Sequence, residues 1–282
     1  MSNPVYRVCF GVAACVVSGF ASGTILGAPA QAAAFSFSGS RLTFDTAGSV
    51  SQAKNSTLST DAIAKTKDGT ADNFFDGDLA FVAEQSTTLD GLFETRSLGD
   101  GSGFFGQSRI ASDAFAEFFV TPEQPFSLNF QFASVLQNVV DTVFERATAS
   151  SSLALSLLDP DQNVLQFFNL DASVNTSPVD QQSNDALFVD TNGQILADNR
   201  QLQPGANQET GNVSFAGSFA HSVSQPTLLT LQVSTVNQSC VQAPNDNDTC
   251  VKVPDNAGAL PFALVMALGL VFIPRLRNAK DA

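Results

Sequence analysis

The chain has 282 residues, 44% hydrophobic and only 14% charged, with a formal net charge of −14. That apolar share supports a packed core and excludes global disorder, while the acidic balance excludes nucleic acid as a partner, because such a field repels phosphates. There is no Trp, and Tyr6 is the single Tyr, so an aromatic core has to be built from the 25 Phe residues.

Residues 1–32 read as a secretory signal peptide with a helical apolar part. Arg7 supplies the positive start. Val8 to Leu26 is uncharged and mostly apolar, and Ala30-Gln31-Ala32 gives a small-x-small cleavage site for signal peptidase before Ala33. Val12-Ala13-Ala14-Cys15 has the form of a lipoprotein box, but the apolar stretch before it is short, and the later cleavage discards Cys9 and Cys15. Export follows from this pattern.

Residues 33–251 read as one β-rich domain carrying 25 acidic against 8 basic residues, a net charge of −17. Apolar residues alternate at Phe35, Phe37, Leu42 and Phe44, and again at Phe126, Leu128, Phe130 and Phe132. That period predicts half-buried strands. The polar stretch from Thr46 to Asp72 predicts a long loop. Val135, Leu136, Val139, Val140, Val143 and Phe144 recur at helical spacing and predict a short helix, against the β-branched character of four of them.

Two hairpins are predicted further on. Leu153–Leu158 and Val164–Leu170 flank the turn Asp159-Pro160-Asp161-Gln162-Asn163; Ala186–Val189 and Gln194–Ala197 flank Asp190-Thr191-Asn192-Gly193, where Asn-Gly suits a tight turn. Val213–Phe219 and Leu228–Val236 complete the set. Many short strands with frequent turns predict an antiparallel β-sandwich, jelly-roll-like.

Candidate chemistry is sparse. Cys240 and Cys250 are an even pair in an exported domain and predict a disulfide. Asp68, Asp72, Asp76 and Asp78 crowd one Gly-containing stretch, and Asp246 and Asp248 lie between the two cysteines. Oxygen ligands on loops suit calcium, so Asp72, Asp76, Asp78, Asp246 and Asp248 are the calcium candidates; solvated turn residues are the plainer reading, and no other cofactor is expected. His221 is the single histidine and has no nucleophile motif near it, so no catalytic residue is assigned. Plentiful carboxylates leave a glycoside-type hydrolase open. The missing Trp and Tyr count against a stacking carbohydrate module.

Residues 252–282 carry three parts in order: Val253-Pro254-Asp255, an uncharged apolar segment from Asn256 to Pro274, and the basic residues Arg275, Arg277 and Lys280. The segment predicts a hydrophobic helix near the lower length limit for a membrane span, with the basic end staying cytoplasmic. A Val-Pro-acidic motif, an apolar helix and a basic end resemble the PEP-CTERM class of bacterial sorting signals. Asp255 stands where the usual motif has Glu, and Asn256 where it has a second Pro; a Val-Pro-Asp-Ser-Gly variant is nearer. The resemblance implies processing by an exosortase-like membrane enzyme, an envelope or extracellular destination in a bacterium of Gram-negative type or a cyanobacterium, and a link to exopolysaccharide or biofilm. The expected function is a non-catalytic exported surface or matrix protein. A secreted carboxylate hydrolase and a calcium-dependent binding module are the alternatives.

Overall fold

The computed structural model describes residues 34–47, 50–84, 86–177, 185–205, 207–243 and 250. The expected signal helix and C-terminal hydrophobic helix lie outside them. Ten strands account for most of these residues: β1 (Ala34–Ala47), β2 (Val50–Glu84), β3 (Ser86–Val120), β4 (Phe126–Val140), β5 (Arg146–Leu158), β6 (Val164–Thr176), β7 (Ala186–Thr191), β8 (Gln194–Gln203), β9 (Gln208–His221) and β10 (Thr227–Gln242). All pairings are antiparallel. They form one sheet in the order β7-β6-β5-β10-β3-β1-β4-β9-β8, with β2 also pairing β3.

The sheet doubles back because β2 and β3 fold together. Straight, 35 residues would run about 115 Å at roughly 3.3 Å each. Instead the Ser97 and Ser108 hydroxyls lie 3.4 Å apart, and Ser108 Oγ donates to the Arg96 carbonyl at 3.0 Å. The crease sits at Gly69 and Gly101, with φ of 131° and 102°. Both positions need glycine: a Cβ at 69 would lie 1.9 Å from the Asp100 carbonyl oxygen, and one at 101 would lie 2.5 Å from that of Asp68. On one side of the crease residues 87–99 of β3 pair with β1; on the other, residues 105–120 pair with β10.

The antiparallel sheet is therefore nearly closed, and one of its faces encloses the interior. Across the gap, Phe130 of β4 packs on Phe168 of β6 (centroids 5.0 Å), and Phe168 on Phe215 of β9 (5.8 Å). Ser36 and Ser38 of β1 donate to the carbonyls of Thr148 and Ser150 in β5, each at 2.6 Å. β7 and β8 are the two edges of the sheet, which stops short of closing on itself. They do not pair with each other; β7 pairs β6 and β8 pairs β9. The expected Asn-Gly hairpin is thus a crossing from one sheet edge to the other. Asn192 secures it, its backbone N–H donating to the Phe167 carbonyl at 3.2 Å and its Oδ1 accepting from the Phe167 N–H at 2.7 Å. Gly193 fits over the Phe219 ring, which a Cβ would meet at 2.7 Å.

Three further expectations are corrected. The stretch expected as a loop, residues 46–72, is mostly strand: its side chains from 57 to 70 are exposed, so pairing with β3 shapes it without an apolar face. The expected helix over residues 135–144 is the end of β4 followed by a turn. Leu136 and Val140 face the core while Val135 and Val139 line the other face, so two alternating faces imitate helical spacing. In β1 the inward residues are Ala34, Ser36, Ser38, Ser40, Leu42 and Phe44, which turns Phe35 and Phe37 to the outer face. The β5–β6 hairpin forms as expected, with Asp159 accepting from the Asn163 N–H at 2.8 Å and Gln162 at φ 65°.

Candidate functional site

The described residues with functional promise fall into three places: the Cys240 staple, the acidic surface of β2, and the serine-lined end of the interior.

Cys240 lies on the outer face of β10, since Ser239 and Val241 point inward. It is fully buried and bonded to Cys250, with Cα atoms 5.9 Å apart. The bond fixes Cys250 beside β10. The remaining residues, 251–282, start from that point. Val253, Pro254, Asp255, Arg275, Arg277 and Lys280 lie outside the described residues, as do Ala30, Ala32, Ala33, Asp246 and Asp248.

The acidic stretch is strand rather than loop. Asp72 and Asp76 are exposed on β2, four residues apart, which separates their Cα atoms by about 13 Å. Two ligands that far apart on one strand do not converge on a single ion at the 2.3–2.6 Å calcium needs. Asp78 lies further along the same strand, its side chain outside what the structure describes. Asp68 instead accepts from the Ser102 hydroxyl at 2.8 Å across the crease. Among the described residues no three His, Cys, Asp or Glu side chains come together as a metal site.

Strand pairing does bring carboxylates together in twos. Asp76 lies opposite Glu94. Burial raises the Glu94 pKa, Asp76 raises it further, and Arg96 opposes both. Arg96 in turn stands over the Phe74 ring at 5.2 Å. A second pair lies at the inner end of β9. Glu209 is nearly buried and accepts from the Thr176 hydroxyl at 2.8 Å. Burial raises its pKa; Thr176 lowers it, nearby Asp185 raises it and the Gly205 backbone lowers it. Asp185 is raised by burial too, against a hydrogen bond from the Asn175 N–H. Glu145 is a buried carboxyl that serves the fold, accepting from the backbone N–H groups of Asp141 and Thr142 and so closing the turn before β5. Its pKa is raised by burial first. His221 ends β9 opposite Phe126.

The serine-lined interior was not singled out in the sequence. Cα partners set its rows: Ser97, Ser36, Asn138 and Glu209 on one face, and Ser108 and Ser239 opposite. Asn138 reaches across with its amide, donating to Ala147 O at 3.0 Å and Val174 O at 2.8 Å. Its signal was the run Phe35-Ser36-Phe37-Ser38-Gly39-Ser40. Phe35 and Phe37 cannot share a face with Leu42 and Phe44 in an unbulged strand, so one set had to point outward.

No family model matches the chain, and neither a curated protein nor a solved structure matches it.

Proposed function

We propose that this chain is a non-catalytic exported protein of the cell surface or extracellular matrix, delivered by its N-terminal signal and sorted through its Val253-Pro254-Asp255 tail by an exosortase-like enzyme. Its body is read as a flattened, jelly-roll-like β-sandwich. The cross-gap contacts of Phe130 with Phe168 and of Ser36 with Thr148 support two facing layers. The single observation that carries the functional reading is the Cys240–Cys250 bond directly before the tail. A buried disulfide suits an oxidising compartment, and it fixes the point from which the sorting segment departs. Exopolysaccharide is the proposed extracellular partner, met through polar surface rather than aromatic platforms.

The test is fractionation of a native host carrying either the full chain or a chain ending at Val251. The full chain is expected in the envelope, and its location should change when the exosortase-like enzyme is deleted. The shortened chain should pass to the periplasm or medium with an unchanged melting transition. A full chain that stays cytoplasmic with free thiols would overturn the reading.

A second reading has one observation behind it. Asp76 and Glu94 are directly opposed carboxylates, and Glu94 is held above its ordinary range, as a carboxylate hydrolase would need. Polysaccharide turnover lost in both Asp76→Asn and Glu94→Gln would move the hydrolase ahead of the matrix protein. Calcium titration of the same protein tests the binding-module alternative.

A further inference from the structure

Among the described residues β7, β8 and β2 each pair on one side only. An open edge leaves backbone N–H and C=O groups without ladder partners, and proteins blunt it by shortness, a bulge or charge. β7 is short, at 6 residues. β8 has a register shift between Ile195 and Ala197, and its Arg200 is paired with Asp198 on the same strand. β2 differs from both. From Ser56 to Thr66 it pairs β3 without a register shift, and from residue 57 to 70 its side chains are exposed on both faces. A strand held by one ladder and burying neither face gains little from water, so a second ladder along its free edge would stabilise it.

The residues of this stretch point to what supplies that ladder. Asp61, Ile63 and Lys65 share one face, that of Arg109 on β3; Thr60, Ala62, Ala64 and Thr66 share the other, that of the core residue Ile110. Reversed, the stretch complements itself. With a second copy antiparallel and Ile63 opposite Ile63, each Asp61 stands opposite a Lys65, each Thr60 opposite a Thr66 and each Ala62 opposite an Ala64. Opposite charges directly across a ladder stabilise it, and Ile63, 39% exposed, is covered by its own copy. Neighbouring registers lose this match. Centred on Asp61, two like charges meet; centred on Ala62, Asp61 meets Ile63; centred on Ala64, Lys65 meets Ile63. Lysine on an edge ordinarily keeps other strands away, but within this stretch Lys65 finds its counter-charge in one register. Asn73 steadies the strand, its amide donating to the Ile63 carbonyl at 2.6 Å, and that oxygen keeps a second lone pair.

We infer that two copies of this chain pair through residues 60–66 of β2, antiparallel across a two-fold axis at Ile63. The contact is isologous and closes on itself, so it yields a dimer and no longer chain of copies. Strand order through it runs β3-β2 of one copy, then β2-β3 of the other. The pairing rests on β2 alone and holds whether or not the tail is a sorting signal.

Sedimentation velocity of the purified, oxidised full chain in detergent, over a concentration series, tests this. The wild type should reach a dimer. Asp61→Lys sets like charges opposite each other at two points, and Lys65→Asp does the same, so each should weaken association by about tenfold or more. The two changes together restore the opposition of charge, and the dimer should return. Ile63→Cys should link two chains under oxidising conditions, while Thr60→Cys should not, because its own copy lies about 20 Å away along the strand. Association through the apolar tail would survive every charge change and so count against the pairing. A wild type that stays monomeric, a single change that leaves the dimer intact, a double change that fails to recover it, or species larger than a dimer would each overturn the inference.

Discussion

The two ends of the interior are built by different means. At one end Phe118, Phe126, Phe130, Phe168, Phe215 and Phe219 fill the gap with rings; Phe118 meets Phe126 edge-on at 5.0 Å, and Phe130 meets Phe219 at 5.6 Å. At the other, Ser36, Ser38, Ser40, Ser97, Asn138 and Asn237 join the faces by hydrogen bonds. Ring burial is non-directional and large per residue, while each hydrogen bond contributes little net but fixes distance. The aromatic end supplies stability, and the serine end sets how closely the strands facing each other across the interior approach.

The largest effect should come from the aromatic end. Phe130→Ala removes a ring touching both Phe168 and Phe219 and should cost about 3–5 kcal/mol, read from chemical denaturation. Next is the staple at the serine end. Reducing Cys240–Cys250, or replacing both with Ser, should cost about 2–3 kcal/mol for so short a loop. Mass spectrometry under non-reducing conditions checks that the bond is present in exported protein. Smaller again, Ser38→Ala should cost about 1 kcal/mol, since Ser150 O keeps its strand partner. If Ser38→Ala proves as costly as Phe130→Ala, the division of labour between the ends is wrong.

The smallest effect is one of shape with pH. Glu209 has its folded pKa raised, chiefly by burial. Its protonated form is favoured on folding, so its contribution is fully present below the ordinary carboxyl value near 4.5 and is lost as pH rises through the raised folded value. Glu209→Gln should therefore change little at low pH and raise stability at neutral pH. A variant whose stability tracks the wild type across that window would show that Glu209 titrates as if unfolded.

The aromatic end was legible in the sequence, because Phe126, Leu128, Phe130 and Phe132 alternate without interruption and the β5–β6 turn carries Asp159 and Asn163 at turn positions. The serine end was not. Its inward residues are the small polar ones, so the usual rule that apolar residues mark the inner face pointed to Phe35 and Phe37 instead. The β2–β3 fold was hidden for a related reason: a strand exposed from residue 57 to 70 has no apolar period to read, and its crease rests on the backbone of Gly69 and Gly101. The crossing at Asn192-Gly193 has the composition of a hairpin turn, and only the long-range pairing of β8 with β9 decides otherwise. The acidic stretch of β2 stayed open as a calcium candidate beside the plainer reading of solvated turn residues, because spacing in sequence does not reveal that an extended chain pulls Asp72 and Asp76 apart.

The staple also decides where a pull on the tail is felt. A force on the chain beyond residue 250 enters the body through Cys240, bypassing the residues between the two cysteines. Val241 and Ala243, which with Phe104 close the small cluster at this end, are therefore out of the load path. The load falls on a strand held along its length by ladders to β3 and β5 on both sides. In the reduced chain the same force would arrive at Ala243 and strip the Ala243–Phe104 bond first, opening the end of the body before any ladder was tested.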